Sequence, residues 1–453
     1  MLLASCEPIG TSTASLTATD ELAKSSSTRE PPVIPMVTAL PMSTESPTPA
    51  PTFTLLPTAT PIPPSPTSTT IPVPVVSPLH TLKSDAIFQE CSPYGPCVFG
   101  MRFSPDDKVL AIGTPTHIYL WDVTTGIVMQ TLYPDQVDGY LDWSRRADRI
   151  EDHRVAVSGV VWNPDGTVVA AGLQVEALVD SGLVYLASVV ALWDVDTGQI
   201  LNVFDRIEDP DQFVTDVAFS PDGNMLASGH ADGAIMLWDV ATGEHLRTIE
   251  NNRPFDLFVT ELTWSPDGIR LAVVRGRWQS QETVDVWDTT TGQQVYSLGG
   301  GVGNVVAEHT GRAVWKAGGK ELLVSGRDAN ILWDVASGTR IKVLGEGTLS
   351  PDSAILAYGE PANEQCNTVV PPDLGAERAY KSLSLRDAAT TESLLTFECL
   401  PDNAWMRPLF IWSPDSSVLV AYETVDRYLC NPLKHEDCTL THEYEFKSWS
   451  VKR

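Results

Sequence analysis

The chain has 453 residues and a formal net charge of −28, from 58 acidic and 30 basic side chains. That charge repels phosphate backbones and argues against nucleic acid as a partner; it favours solubility and long-range steering of cationic partners. No run of 18 apolar residues follows the extreme N-terminus, so the sequence predicts no membrane-spanning helix there.

The chain starts MLLASCEPIG. Leu3-Ala4-Ser5-Cys6 resembles the lipobox of bacterial lipoproteins, in which the cysteine carries the lipid. The charged start and longer apolar run of such a signal are missing, which a start codon further upstream would explain. The resemblance implies a truncated signal over residues 1–6, lipid on Cys6, an extracytoplasmic location at the cell surface, and membrane contact through the lipid alone. A chance match on a cytosolic chain is the alternative.

Residues 7–79 are dominated by Thr, Pro and Ser, as in PMSTESPTPAPTFTLLPTATPIPPSPTSTT. Such a segment buries too little apolar surface to offset its ordering entropy and is expected to be a disordered linker. Its prolines favour extended stretches, which makes it a semi-rigid spacer.

From His80 to Arg453 the sequence repeats. One phrase recurs as FSPDDKVLAIG from Phe103, WNPDGTVVAAG from Trp162, FSPDGNMLASG from Phe219 and WSPDGIRLAVV from Trp264. Weaker copies start at Trp315, Leu349 and Trp412. A second phrase follows five of them: Trp121-Asp122, Trp193-Asp194, Trp238-Asp239, Trp287-Asp288 and Trp333-Asp334, each leading into a turn that ends in glycine. The last two units carry degraded versions around Arg386 and Trp449.

Within one unit, VTDVAFS alternates and runs into a Pro-Asp-Gly turn, with its fixed and permissive backbone angles. NMLASG, AIMLWDV and EHLRTI follow as three further short strands. Strand, turn, strand, loop, strand, turn, strand is one antiparallel sheet. One such sheet cannot bury its own apolar face, whereas seven stacked radially can. The expected fold is therefore all-β: a seven-bladed propeller over residues 80–453.

These units resemble WD repeats. The resemblance implies that each Trp packs between neighbouring blades and each following Asp ends a strand at its turn. The family often adds a Gly-His pair whose His joins a buried network with a Ser or Thr, an Asp and the Trp. Ser228, Asp232 and Trp238 match three of those positions, and His230 falls outside the fourth. LHTLKSDAIF (Leu79 to Phe88) resembles a fourth strand, while the C-terminal YEFKSWSV resembles a third. The N-terminal strand is thus expected to complete the last blade and hide both ends.

Besides Cys6 there are Cys91, Cys97, Cys366, Cys399, Cys430 and Cys438. An even count in an exported chain points to disulfides, although six cysteines allow fifteen pairings. The favoured pairs are Cys91–Cys97, Cys366–Cys399 and Cys430–Cys438. A zinc site using Cys430, His435, Cys438 and His442 is the rival, but no CxxC pair accompanies it. DVDTGQ from Asp194 lacks the later ligands of a calcium loop. No metal and no cofactor are expected.

The turns within blades are tight on one side of the disc. The long insertions all fall on the other: Tyr133–Arg154, Leu173–Ser188, Arg275–Glu282, Glu360–Tyr380 and Glu423–Glu445 are read as loops there. A face bearing insertions on a rigid scaffold is a natural binding face. Tyr140, Trp143, Arg145, Arg146, Arg275, Arg277, Trp278, Trp405 and Arg407 are its candidate contacts, because Trp, Tyr and Arg dominate binding hot spots. The bland alternative is that the aromatics plug the loops while the arginines pair with nearby carboxylates.

No nucleophile elbow, HExxH, phosphate loop or triad-like arrangement is present. The expected function is non-catalytic binding of a protein or peptide by a monomeric, surface-displayed scaffold. Binding or hydrolysis of a small molecule or glycan in the central channel is the second reading.

Overall fold

In a computed structural model the chain divides into two units, residues 1–67 and 68–453. The described residues are 73–83, 98–141, 153–179, 182–205, 213–249, 258–276, 283–298, 312–316, 318–325, 330–344, 347–361, 380–401, 409–431 and 434–452. Cys6 and residues 7–72 of the expected linker lie outside them.

The described residues form seven four-stranded antiparallel sheets arranged in a ring. Blade 1 holds β2 (Gly100–Phe103), β3 (Val109–Gly113), β4 (Ile118–Asp122) and β5 (Ile127–Leu132). Blade 2 holds β6 (Arg154–Trp162), β7 (Val168–Val179), β8 (Gly182–Asp194) and β9 (Ile200–Asp205). Blade 3 holds β10 (Val214–Phe219), β11 (Met225–His230), β12 (Ile235–Asp239) and β13 (His245–Ile249). Blade 4 holds β14 (Phe258–Trp264), β15 (Arg270–Gly276), β16 (Thr283–Asp288) and β17 (Gln293–Ser297). Blade 5 holds β18 (Arg312–Lys316), β19 (Glu321–Ser325), β20 (Asn330–Asp334) and β21 (Thr339–Leu344). Blade 6 holds β22 (Thr348–Leu349), β23 (Ile355–Pro361), β24 (Tyr380–Asp387) and β25 (Ser393–Pro401). Blade 7 takes β26 (Leu409–Trp412), β27 (Val418–Asn431) and β28 (Lys434–Lys452) from the C-terminus and β1 (Val75–Lys83) from the N-terminus.

The expected clasp is therefore present. β1 pairs antiparallel with β28, from Val75 opposite Lys452 to Lys83 opposite Glu445. It starts at Val75, five positions before His80 and inside the stretch read as linker. His80 also holds the ring shut at its rim, where Nε2 donates to Thr124 O of blade 1 at 2.7 Å.

The apolar core is divided into seven clusters, one per blade interface. Trp121 packs with Ile411 and Phe446 of blade 7, and Trp193 with Leu120 and Leu132 of blade 1. Trp238 stacks on Phe204 of blade 2, at 5.5 Å between ring centres. Trp287 and Trp333 enter the interfaces with blades 3 and 4 in the same way. All five tryptophans are buried. A second set of tryptophans sits at the ends of inner strands. Trp162, Trp264, Trp315 and Trp412 each donate Nε1–H to a backbone carbonyl of the preceding blade, at Arg102, Ala218, Thr263 and Thr348, over 3.0–3.1 Å. Interface 5–6 has neither device: Arg386 stands at the Trp position of its closing phrase and Leu349 ends its inner strand. Among the described residues, its cluster is accordingly the smallest, with Leu323, Leu344, Leu349, Leu356 and Ala388.

The aspartate of each Trp-Asp phrase ends its strand and ties the next turn. Asp194 Oδ1 accepts the Thr197 N–H at 2.8 Å and its hydroxyl at 2.7 Å. Asp239 with Thr242, Asp288 with Thr291 and Asp334 with Ser337 repeat the arrangement. The closing glycine takes positive φ, as at Gly198 (68°) and Gly243 (74°), which a side chain resists. Three Pro-Asp-X turns carry a side chain at positive φ instead of glycine: Asp107, Ser353 and Ser416. Two of these residues bond across interfaces: Asp107 Oδ1 accepts Asp415 N–H at 3.1 Å, and Ser416 Oγ accepts Asp352 N–H at 3.3 Å.

Two expected loops are strands. Leu173–Ser188 continues β7 into β8, in register to Val179 opposite Gly182. Glu423–Glu445 continues β27 into β28, in register to Cys430 opposite Cys438. Asp180-Ser181-Gly182 is a turn signal between the two halves of the first.

Candidate interaction face

Antiparallel order puts the Pro-Asp and Thr-Gly turns on one side of the disc. The connections from second to third strand, and from one blade to the next, lie on the other. The turn side is built from short, self-bonded loops. The other side carries the β7–β8 and β27–β28 extensions and the connection from blade 1 to blade 2. Blades 7 and 2 flank blade 1, whose own connection on that side is the short Thr114–His117 turn, closed by Thr114 N–H donating to His117 O at 2.8 Å.

The connection from blade 1 begins at Tyr133 and makes a 3-10 helical turn, Pro134–Gly139, with Pro134 and Val137 buried. Asp138 then meets His153 at the far end of the insertion: Nε2 lies 2.8 and 2.9 Å from the two carboxylate oxygens. This pair closes the stem of the segment that holds Trp143, Arg145 and Arg146. Arg154 Nε donates to Glu176 Oε1 at 2.6 Å and ties the same stem to the β7 extension.

Tyr140 lies against the outer strand of blade 2, at the end that follows the Asp194–Gln199 turn. It is 55% exposed, and its hydroxyl donates to Ile200 O at 3.2 Å, which fixes the ring against blade 2. A separate aromatic group was not read from the sequence. Tyr133, 46% exposed, meets His117 edge-on at 5.3 Å, and His117 stacks on Tyr119 at 5.7 Å. These residues come from three different elements, and no spacing in the sequence joins them.

Arg275 stands near the end of β15 on this side, but its side chain is buried. It is 1% exposed, and its Nη1 lies 3.1 Å from Asp285 Oδ2. Nε and Nη2 donate to Gly233 O of blade 3 at 3.2 and 3.1 Å, and the guanidinium lies 5.4 Å from the centre of the Trp287 ring. Gln294 Nε2 donates to the other carboxylate oxygen of Asp285 at 2.8 Å. Arg275 is thus a buried clamp between blades 3 and 4. Trp143, Arg145, Arg146, Arg277, Trp278, Trp405 and Arg407 lie outside the described residues, as do Cys91, Cys97 and Cys366. Cys399 lies on β25, Cys430 on β27 and Cys438 on β28.

His230 also departs from the sequence reading. It ends β11, two positions after Ser228 and on the same side of the strand. Trp238 Nε1–H donates to Ser228 Oγ at 2.9 Å, and the Ser228 hydroxyl bonds His230 Nε2 at 3.0 Å. A histidine therefore does complete a Trp–Ser–His chain, supplied from β11 rather than from the connection between blades. Asp232 turns back to accept Ala234 N–H at 2.9 Å. Trp121, Trp193, Trp287 and Trp333 have no such acceptor for Nε1–H. Ile112, Ala171, Val273 and Val324 stand where blade 3 has Ser228.

The turn side is strongly acidic, and its carboxylates are already committed to local hydrogen bonds. The Thr197 hydroxyl and then the Thr197 N–H hold Asp194 below the usual aspartate value. The Thr242 N–H and then its hydroxyl do the same for Asp239. Asp216, on inner strand β10, moves the other way because burial disfavours its charge; Arg102 and the Leu262 N–H oppose that.

Residues 205–274 match the family model of the Vps8 beta-propeller. The match spans blade 3 and the first half of blade 4. This chain is a seven-bladed β-propeller. Its likeness to the Vps8 propeller covers well under half of its length, and no curated protein matches the chain.

Proposed function

We propose that the protein is a non-catalytic scaffold that binds a protein or peptide partner on the arm-bearing side of its propeller. Its blades read as WD-type repeats, with the Trp-Asp phrase holding the interfaces and turns. β-Propellers commonly serve as rigid platforms for protein partners, with specificity carried by their connections. The observation that carries the reading is the difference between the two sides. Every described turn on one side is short and bonded to itself, while the other bears two hairpin extensions and an insertion pinned at its stem by Asp138 and His153. Lipid on Cys6 and the spacer over residues 7–72 would display this scaffold outside the cell, with the spacer providing reach.

The test is crosslinking capture on intact producing cells with the full chain as bait. A second bait carries Tyr140→Ala, Trp143→Ala, Arg145→Ala and Trp278→Ala together. A protein captured by the first bait and lost with the second supports the reading. No capture, or equal capture by both, overturns it.

A further inference from the structure

We propose that Cys430 and Cys438 form a disulfide that staples the end of the β27–β28 arm. The inference deepens the proposed function, because it rests on display in an oxidising compartment. The two residues face each other on one rung of an antiparallel ladder, with Leu429 opposite Thr439 on the rung before. Directly opposed residues in such a ladder are about 4.5–5.5 Å apart at Cα. Disulfides span about 4.4–6.8 Å between Cα atoms, so the rung accepts a bridge without backbone movement.

The arm also has a physical need for it. Among the described residues, β26 supports β27 to Tyr422 and β1 supports β28 from Glu445. Among the described residues the sheet is two-stranded from Thr424 opposite Tyr444 to Cys430 opposite Cys438. Seven rungs at about 3.3 Å each make an arm of roughly 23 Å. An unsupported two-stranded ribbon is marginally stable in water at best. A slip of one position would exchange the sides on which its residues lie. A bond on the last rung before the irregular turn fixes the register and limits fraying from the end.

The register also separates the bridge from a zinc site. His442 stands opposite Asp426, four positions from Cys438 along β28. That is roughly 13 Å along a strand, too far for His442 and Cys438 to share one ion. Bridge formation removes two hydrogens from the two thiols. The electrons and protons pass to a disulfide of a thiol oxidoreductase or of oxidised glutathione, which is reduced to the corresponding thiols.

The experiment takes full-length protein from producing cells, alkylates it in denaturant without reductant, digests it and analyses the peptides by mass spectrometry. A linked pair containing Cys430 and Cys438, 2 Da lighter than the two thiol peptides together, is expected. On adding reductant, amide exchange should rise at least tenfold over residues 423–445, with the Val109–Asp122 hairpin unchanged. Cell fractionation is read in parallel. If the protein is cytosolic with free thiols, yet oxidised glutathione links these two cysteines in the purified chain in preference to any others, the display reading fails and the pairing stands. Linkage of either cysteine to a different one, zinc retained by the pair, or free thiols that oxidised glutathione leaves unlinked would each overturn the proposal.

Discussion

Arg275 and Asp285 form an ion pair at 3.1 Å with both side chains 1% exposed, in the interface between blades 3 and 4. Breaking such a pair from one side leaves an uncompensated buried charge. Arg275→Ala or Asp285→Ala should each cost about 3–5 kcal/mol in chemical denaturation. Replacing both with apolar residues, Arg275→Met with Asp285→Leu, should recover most of that loss. If the single variants lose less than about 1 kcal/mol, the clamp is not what holds this interface.

The Trp238–Ser228–His230 chain gives a paired prediction. Ser228→Ala strands a buried indole N–H and should cost about 1–3 kcal/mol. Ala171→Ser places a hydroxyl at the matching position of blade 2, where Trp193 Nε1–H has no acceptor. It should stabilise by up to about 1 kcal/mol. Urea unfolding of the two variants beside the parent reads both signs, and equal effects would contradict the assignment.

Stability should fall in acid. Ten turn aspartates have folded pKa values lowered below 3.8: Asp106, Asp122, Asp165, Asp194, Asp222, Asp239, Asp267, Asp288, Asp334 and Asp415. A lowered value contributes stability that is complete above the unfolded pKa and is lost as pH falls through the folded one. Burial raises Asp107 and Asp216, which favour the folded state in acid, but these are two against ten. Unfolding midpoints measured from pH 6 to pH 2 should therefore decline, most steeply below about pH 4. A flat or rising series would show that the turn hydrogen bonds do not act as described.

The N-terminal strand sets a boundary that truncation can locate. A chain starting at residue 73 retains β1 and should melt like the full-length protein. A chain starting at residue 84 loses β1, leaves the outer edge of β28 unpaired and loses the His80–Thr124 closure. Its melting temperature should drop by on the order of 10 °C, with association through the bare edge. Equal melting of the two would contradict closure by β1.

Much of the architecture is legible because propeller blades are local. Each blade folds from a continuous stretch, so its turns and closing Trp-Asp phrase recur in order along the chain. Even the clasp shows, since LHTLKSDAIF reads like a fourth strand with no third before it. The arms do not show as arms, because a long run between two known strands looks the same whether it loops out or continues the ladder. Leu173–Ser188 and Glu423–Glu445 both continue it. Arg275 reads as an exposed arginine because its partners are Asp285, ten positions away, and Gly233, in another blade. His230 reads as misplaced because the family position is defined along the chain, whereas its bond to Ser228 is defined across one face of a strand. Tyr133, His117 and Tyr119 come together only when three elements meet.

The side of the disc that meets a partner can be located directly. The measurement is mass-spectrometric mapping of crosslinks formed by the full chain on intact producing cells. Crosslinks from Tyr133–His153, the far end of β7–β8 and the far end of β27–β28 are the predicted result. Crosslinks concentrated in the turns at Asp106–Lys108, Asp122–Gly126 and Asp239–Gly243, on the opposite side, would contradict it.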